Sequence, residues 1–105
     1  MKIFFDTNIL LDITLKREPF YSTSEHLILE CIKVKHTKIL SSLSVANIHY
    51  SVKKALTLSL ANVGIKQILE HFEVSSVNAN TVKNAHLANW KDFEDAIQYY
   101  SAIEA

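Results

Sequence analysis

The sequence predicts an α/β domain with a central parallel sheet. Three short apolar runs predict strands, at residues 2–5, 37–42 and 72–77. Longer segments with helical spacing of apolar residues separate them, and strands that alternate with helices in this way are typical of a parallel sheet. The chain has one Gly and one Pro among its 105 residues, which favours long regular elements over tight turns.

The elements of the first third follow from apolar runs and one helix breaker. The run KIFF at residues 2–5 predicts a buried strand, and residues 7–16 predict a helix. That helix ends before Pro19, because the residue preceding a proline is disfavoured in helical conformation. Residues 20–36 predict a second helix, which leads into the second strand.

The elements of the remaining chain are mostly helical. Helical periodicity runs from Leu43 to about Leu60, and Gly64 is expected to interrupt it. The apolar positions that follow the 3.6-residue period are Val45, Ile48, Val52, Ala55, Leu56 and Leu60. After the third strand, residues 78–90 predict a short helix, and a last helix begins near Lys91.

Composition limits the classes of function. Eleven Lys and Arg side chains balance eleven Asp and Glu side chains, so net charge gives no reason to expect strong nonspecific binding to nucleic acid. A solvated helix face explains the lysine clusters at residues 33–38 and 53–54. Cys31 is the single cysteine, which excludes an intrachain disulfide and a cysteine zinc site. With no apolar run that could span a membrane and no signal peptide, a cytoplasmic protein is expected.

Several common catalytic motifs do not occur in the sequence. It contains no GxGxxG, GxxxxGKS/T or GxSxG segment, so a dinucleotide fold, a phosphate loop and a hydrolase elbow are unsupported. The five histidines show no HExxH or other ligand spacing. They are therefore expected to be structural.

Acidic residues occur where a parallel sheet places its functional sites. Those sites form beyond the carboxyl ends of the strands, where strand-to-helix loops converge. Asp6 follows the first strand, Ser44 follows the second, and Asp92 and Asp95 share one face at the start of the last helix. Each acid also has a local explanation: Asp6 as a turn or cap residue, and Asp92 as an N-cap with Asp95 one turn further on.

Three segments, taken in order along the chain, resemble the PIN domain family. They are IFFDTNILLD, SSLSVANIHY and NWKDFEDAIQ. The resemblance implies that residues 1–105 form a single domain with a three-layer α/β/α fold and a central parallel sheet. It also implies a relationship to metal-dependent ribonucleases, among which the VapC-like toxins of toxin–antitoxin pairs are prominent.

The resemblance also implies a metal site. Asp6 and Asp95 match the family's acidic ligands and would be catalytic, with Asp92 as a further metal ligand. The supporting polar residues would be Thr7, Asn8, Ser44 and Asn47. Carboxylates suit Mg²⁺ and Mn²⁺, which prefer oxygen ligands. Such a cation lowers the pKa of a bound water and stabilises charge on a transferring phosphoryl group.

The sequence departs from the family pattern in two places. Asn47 stands where the family usually carries an acid, so metal affinity is expected to be lower; the alternative is that Asn47 is an exposed surface amide. The chain also stops at Ala105, before a strand and a further ligand of the family pattern. The domain is therefore expected to be truncated at its C-terminus, with an exposed sheet edge or helix face.

Three functions remain open from the sequence. The first is a PIN-type endoribonuclease that uses carboxylate-bound Mg²⁺ or Mn²⁺. The second is a degenerate or truncated PIN module that binds RNA or a protein partner without cutting, and the third is an inactive fragment. The resemblance implies RNA, a cognate antitoxin and a second copy of the chain as partners, and the lack of a long apolar run predicts no membrane partner. The sequence does not identify the residues that bind nucleic acid.

Overall fold

A three-stranded parallel sheet forms the centre of the structure. The computed structural model describes residues 2–16, 25–26, 30, 33 and 36–105. The strands are β1 (Lys2–Phe4), β2 (Thr37–Ser41) and β3 (Glu73–Ser75). Their order in the sheet is β1-β2-β3, and both pairings are parallel. The predicted sheet is confirmed, although each strand is shorter than its apolar run.

Helices connect the strands and complete the chain. The five that lie wholly within the described residues are α1 (Thr7–Thr14), α2 (Ser42–Ala55), α3 (Leu58–His71), α4 (Ala79–Ala88) and α5 (Phe93–Glu104). The helix predicted over residues 20–36 lies largely outside the described residues, as does Cys31. Within it, residues 25, 26, 30 and 33 have helical conformation.

The buried side chains form two clusters that involve different helices. The larger one joins β2 to α1, α2 and α3 and contains Phe5, Leu10, Leu11, Leu40, Ile48, Val52, Ala61 and Ile68. The smaller one joins α4 and α5 through Ala85, Ala96 and Ile97. Ser101 of α5 also lies 2.7 Å from Ser75 of β3, hydroxyl to hydroxyl. Helices α1–α3 therefore pack on one side of the sheet, and α4 and α5 pack on the other.

The prediction of one continuous helix from Leu43 to about Leu60 is wrong, because two helices occupy this range. The helix breaks at Leu56, and a new helix begins after Thr57, whose side chain accepts a hydrogen bond from the Leu60 amide at 3.1 Å. Thr57 is thus an N-cap, which the apolar period concealed. Leu56 and Leu60 are exposed, and Gly64 lies inside α3 without interrupting it.

Polar caps set the ends of the later helices. The Asn78 side chain and Thr81 form a reciprocal capping box at the start of α4. Asn89 ends that helix with φ of 56°, a left-handed conformation that asparagine adopts more readily than most residues. The side chain of Thr81 donates to the Glu104 carboxylate at 2.6 Å, which ties the two helices together.

Two further expectations from the sequence were an exposed sheet edge and the absence of a membrane-spanning segment. No strand pairs with the outer side of β1 in the part of the chain that the structure describes, so β1 is an edge strand. None of the described helices combines the length and apolar character that a membrane crossing requires.

Leu40 lies in the second half of β2, and its side chain is fully buried. We expect Leu40→Ala to lower the free energy of unfolding by about 2–5 kcal/mol, because it removes a buried side chain and leaves a cavity. Urea denaturation measures this change. The matched control is Leu69→Ala on α3, where the leucine is 57% exposed; a change above about 0.5 kcal/mol there would contradict the assignment of the core.

Candidate active site

A polar cleft of about 380 Å³ opens where α1, α2 and the start of α5 meet. Four carboxylates border it: Asp6, Asp92, Glu94 and Asp95. We call it the acidic cleft. The polar residues Thr7, Asn8 and Asn47 also line it, whereas Ser44 is buried beside it. The structure therefore brings together every residue that the sequence predicted for the site, from both ends of the chain.

Asp6 occupies the N-cap position of α1. Its backbone is extended, with φ of −71° and ψ of 146°, but its side chain makes no capping hydrogen bond. The first turn of α1 is instead closed by the Asp6 carbonyl, which accepts from the Ile9 amide at 3.1 Å. The exposed Asp6 carboxylate thus has no capping role and borders the cleft.

The acids of α5 begin with a helix cap. The Asp92 carboxylate accepts a hydrogen bond from the Asp95 amide at 3.2 Å, so the local explanation of Asp92 as an N-cap is confirmed. Glu94 and Asp95 follow in the first turn, where the partial positive charge of the helix N-terminus favours carboxylates.

A cluster of hydroxyl groups joins the elements beneath the cleft. The Ser41 side chain caps α2 by accepting from the Ser44 amide, and its hydroxyl donates to the Ser44 hydroxyl, both at 3.1 Å. The hydroxyls of Ser44 and Thr7 lie 2.7 Å apart. Thr7 also accepts from the Gln98 side-chain amide at 3.2 Å. Thr7, Ser41 and Ser44 are buried, so these contacts link α1, α2 and α5.

Asn47 bridges α2 and α5. Its side-chain amide donates to the Glu94 carboxylate at 3.3 Å, and the residue is partly buried. The Asn47 amide therefore has a partner across the cleft, and this hydrogen bond lies at the exposed surface.

Among the residues that contact the predicted ones at this site, sequence reasoning missed Glu94 and Gln98. Gln98 lies one turn after Asp95, on the same face of α5, and this spacing could have identified it. Glu94 is adjacent to Asp95 in the sequence, but its contact with Asn47 depends on how the two helices pack, so no local pattern reveals it.

Electrostatic interaction connects the acids across the cleft. The pKa of the Asp95 carboxyl is raised above its ordinary value, first by desolvation and then by the negative charges of Asp92, Asp6 and Glu94. The contribution of Asp6 shows that an acid from the opposite end of the chain lies within electrostatic range. A bound cation would relieve this repulsion.

The donor groups of the cleft are oxygen atoms of carboxylates and amides, which is the chemistry that Mg²⁺ and Mn²⁺ prefer. Asp6, Asp92 and Asp95 are the side chains that would hold such an ion. Among the residues that the structure describes, no group of three or more His, Cys, Asp or Glu side chains converges closely enough to hold a metal ion. The chemistry of these donor groups therefore fits a divalent cation. In their arrangement, the carboxylates border the cleft without converging on one point.

Replacing Asp95 by Asn should stabilise the protein at neutral pH. A raised folded-state pKa means that the folded protein binds more protons than the unfolded chain, so stability falls as the pH rises through that window. We expect Asp95→Asn to raise the thermal unfolding midpoint at pH 7 and the gain to shrink towards pH 4, as measured by circular dichroism. Glu70→Gln, on α3 and outside the cleft, is the control. A lower midpoint for Asp95→Asn at pH 7 would contradict the assigned repulsion.

Comparison with known proteins extends over nearly the whole chain. A crystal structure of VapBC2 from Rickettsia felis, bound to a DNA fragment from their promoter, contains a chain of the same fold, with a TM-score of 0.69. The two chains are 19% identical, and the match covers 98% of this chain and 81% of that chain. No curated protein matches the sequence significantly. The family model of the PIN domain matches residues 2–105. The chain belongs to the PIN domain family.

Proposed function

We propose that this protein is an endoribonuclease that hydrolyses RNA phosphodiesters in the acidic cleft, using Mg²⁺ or Mn²⁺ in the cytoplasm. The observation that carries the proposal is that Asp6 and Asp95, from opposite ends of the chain, border one cleft and interact electrostatically. Membership of the PIN domain family supports the same activity. Asp6 and Asp95 match acidic positions of that family, and the resemblance includes metal-dependent ribonucleases.

Each side chain of the cleft has a distinct role in this proposal. Asp6 and Asp95 would bind the cation directly, and Asp92 would add an oxygen while it caps α5. When bound, the cation would supply an activated water and would stabilise the charge on the phosphoryl group. The amide of Asn47 holds the Glu94 carboxylate beside the site, and Asn8 contributes a further polar group to the wall.

The buried hydroxyls serve a positioning role in the same proposal. Thr7 is the residue after Asp6, so the Thr7–Ser44 hydrogen bond fixes the backbone from which the Asp6 carboxylate extends. Gln98, one turn after Asp95, donates to the same Thr7 hydroxyl. These contacts would hold the two proposed metal ligands at a constant separation without touching the RNA.

A module that binds RNA or a protein partner without cleavage is the second candidate. Two observations favour it. Asn47 supplies a neutral amide where the family usually has an acid, and the carboxylates among the described residues do not converge on one point. A cleavage assay with RNA and Mn²⁺ distinguishes the two candidates.

Incubation of the purified protein with RNA and Mn²⁺ should yield cleavage products on a denaturing gel. Asp6→Asn and Asp95→Asn should each lower the rate by about 10²-fold or more, the usual cost of removing an electrostatic group from an active site. The control Glu70→Gln should retain the wild-type rate. Full activity in both aspartate variants would exclude the proposed site, and binding of RNA without cleavage would favour the second candidate.

The partners that we propose are RNA, a cognate antitoxin and a second copy of the chain. The shared fold with a chain of VapBC2 supports the proposal of a protein partner.

The proposed homodimer has its own test. Light scattering of the purified protein should give about twice the chain mass of 11.9 kDa. Bringing together exposed apolar side chains of two copies would remove them from water. A mass of one chain at high concentration would exclude the homodimer.

A further inference from the structure

We propose that Tyr50 and Lys54 form an RNA-binding track beside the acidic cleft. In this track Tyr50 stacks against an unpaired nucleobase, and Lys54 contacts a phosphate next to that base. The inference rests on the proposed ribonuclease function, but it concerns how single-stranded RNA is held and not how it is cut.

The first observation is the position of Tyr50. Its side chain lines the same cleft as the four carboxylates, and 64% of its surface is exposed. Tyr50 lies one turn after Asn47, whose amide contacts Glu94 across the cleft. An aromatic ring at the wall of a polar cleft offers a flat face to a base, and stacking on such rings is a common way in which proteins hold single-stranded nucleic acid.

The second observation is the cation over the ring. The Lys54 Nζ atom, one helical turn further along α2, lies over the Tyr50 ring at 6.0 Å from its centre. This distance is at the outer limit of a cation–π contact, so the ammonium group stays close to the ring while it remains available to solvent and to an anion. A base and its phosphate together match this pair of groups.

The charge of the cleft gives the physical reason for such a track. Four carboxylates repel the phosphates of RNA, and the chain as a whole has no net positive charge to offset the repulsion. Stacking does not depend on charge, and a lysine set apart from the acids attracts phosphate where the repulsion is weaker. Asn47, Tyr50 and Lys54 follow one another along α2 over about 10 Å, at 1.5 Å per residue. RNA would thus extend from the acids to Lys54.

A single-stranded RNA of about ten nucleotides that carries one 2-aminopurine tests the proposal. Binding is measured in EDTA, so that metal-dependent cleavage does not interfere, and stacking is detected as quenching of the 2-aminopurine fluorescence. Tyr50→Ala should weaken binding about tenfold and abolish the quenching, in line with the cost of losing one stacked base. Tyr50→Phe should preserve both. Lys54→Gln should weaken binding, reduce the salt dependence by about one phosphate contact and leave the quenching intact.

Tyr99→Ala is the matched control, because Tyr99 is an exposed tyrosine on α5 that does not line the cleft. It should change neither binding nor quenching. With Mn²⁺, Tyr50→Ala should raise KM while kcat changes little, since in this proposal Tyr50 holds a base and contacts neither the cation nor the reacting phosphate.

The two proposals fail in different ways. If RNA binds and quenches through Tyr50 but is not cut with Mn²⁺, the ribonuclease function is overturned and the track stands. If cleavage depends on Asp6 and Asp95 while Tyr50→Ala binds RNA as the wild type does, the track is overturned. A loss of binding that Tyr50→Phe does not restore would also overturn it, because stacking requires only the ring.

Discussion

The hydrogen bond between Thr7 and Ser44 determines the geometry of the acidic cleft. It joins the start of α1 to the first turn of α2, and Gln98 of α5 donates to the same threonine hydroxyl. Because Thr7 follows Asp6 and Gln98 lies one turn after Asp95, one buried hydroxyl positions two acids from opposite ends of the chain. A buried hydroxyl that lost these partners would destabilise the fold, so the arrangement of the cleft and the stability of the domain are coupled.

The same geometry concentrates negative charge at the cleft. Because the pKa of Asp95 is raised, the ionised form of this carboxyl is less stable in the folded protein than in the unfolded chain. The N-terminus of α5 offsets part of the repulsion, and the remainder is a local cost of folding. Groups that lower stability in this way are common at functional sites. The cost is consistent with a cleft that is completed by a cation.

The sequence was sufficient to predict the sheet and most of the acids that border the cleft, because both depend on local sequence patterns. A short apolar run predicts a buried strand. Asp92 caps α5 by accepting a hydrogen bond from the amide of Asp95, three residues further along the chain. The break at Leu56 was missed because an apolar residue continued the period, although Thr57 carried the signal of a cap. The contact of Asn47 with Glu94 depends on the packing of two helices that are distant in the sequence, and no periodicity encodes it.

Helix α2 contributes one face to the larger core and another face to the acidic cleft. Ile48 and Val52 fill the larger core, while Ser44, Asn47, Tyr50 and Lys54 recur every three or four residues on another face. A polar stripe of this spacing resembles a solvated helix face in the sequence. The structure distinguishes it, because its first residue is buried against Thr7, its second contacts Glu94, and its third lines the cleft. The stripe runs from the carboxylates to a lysine, so a chain with no net charge still has a local gradient of charge along the RNA-binding track that we propose.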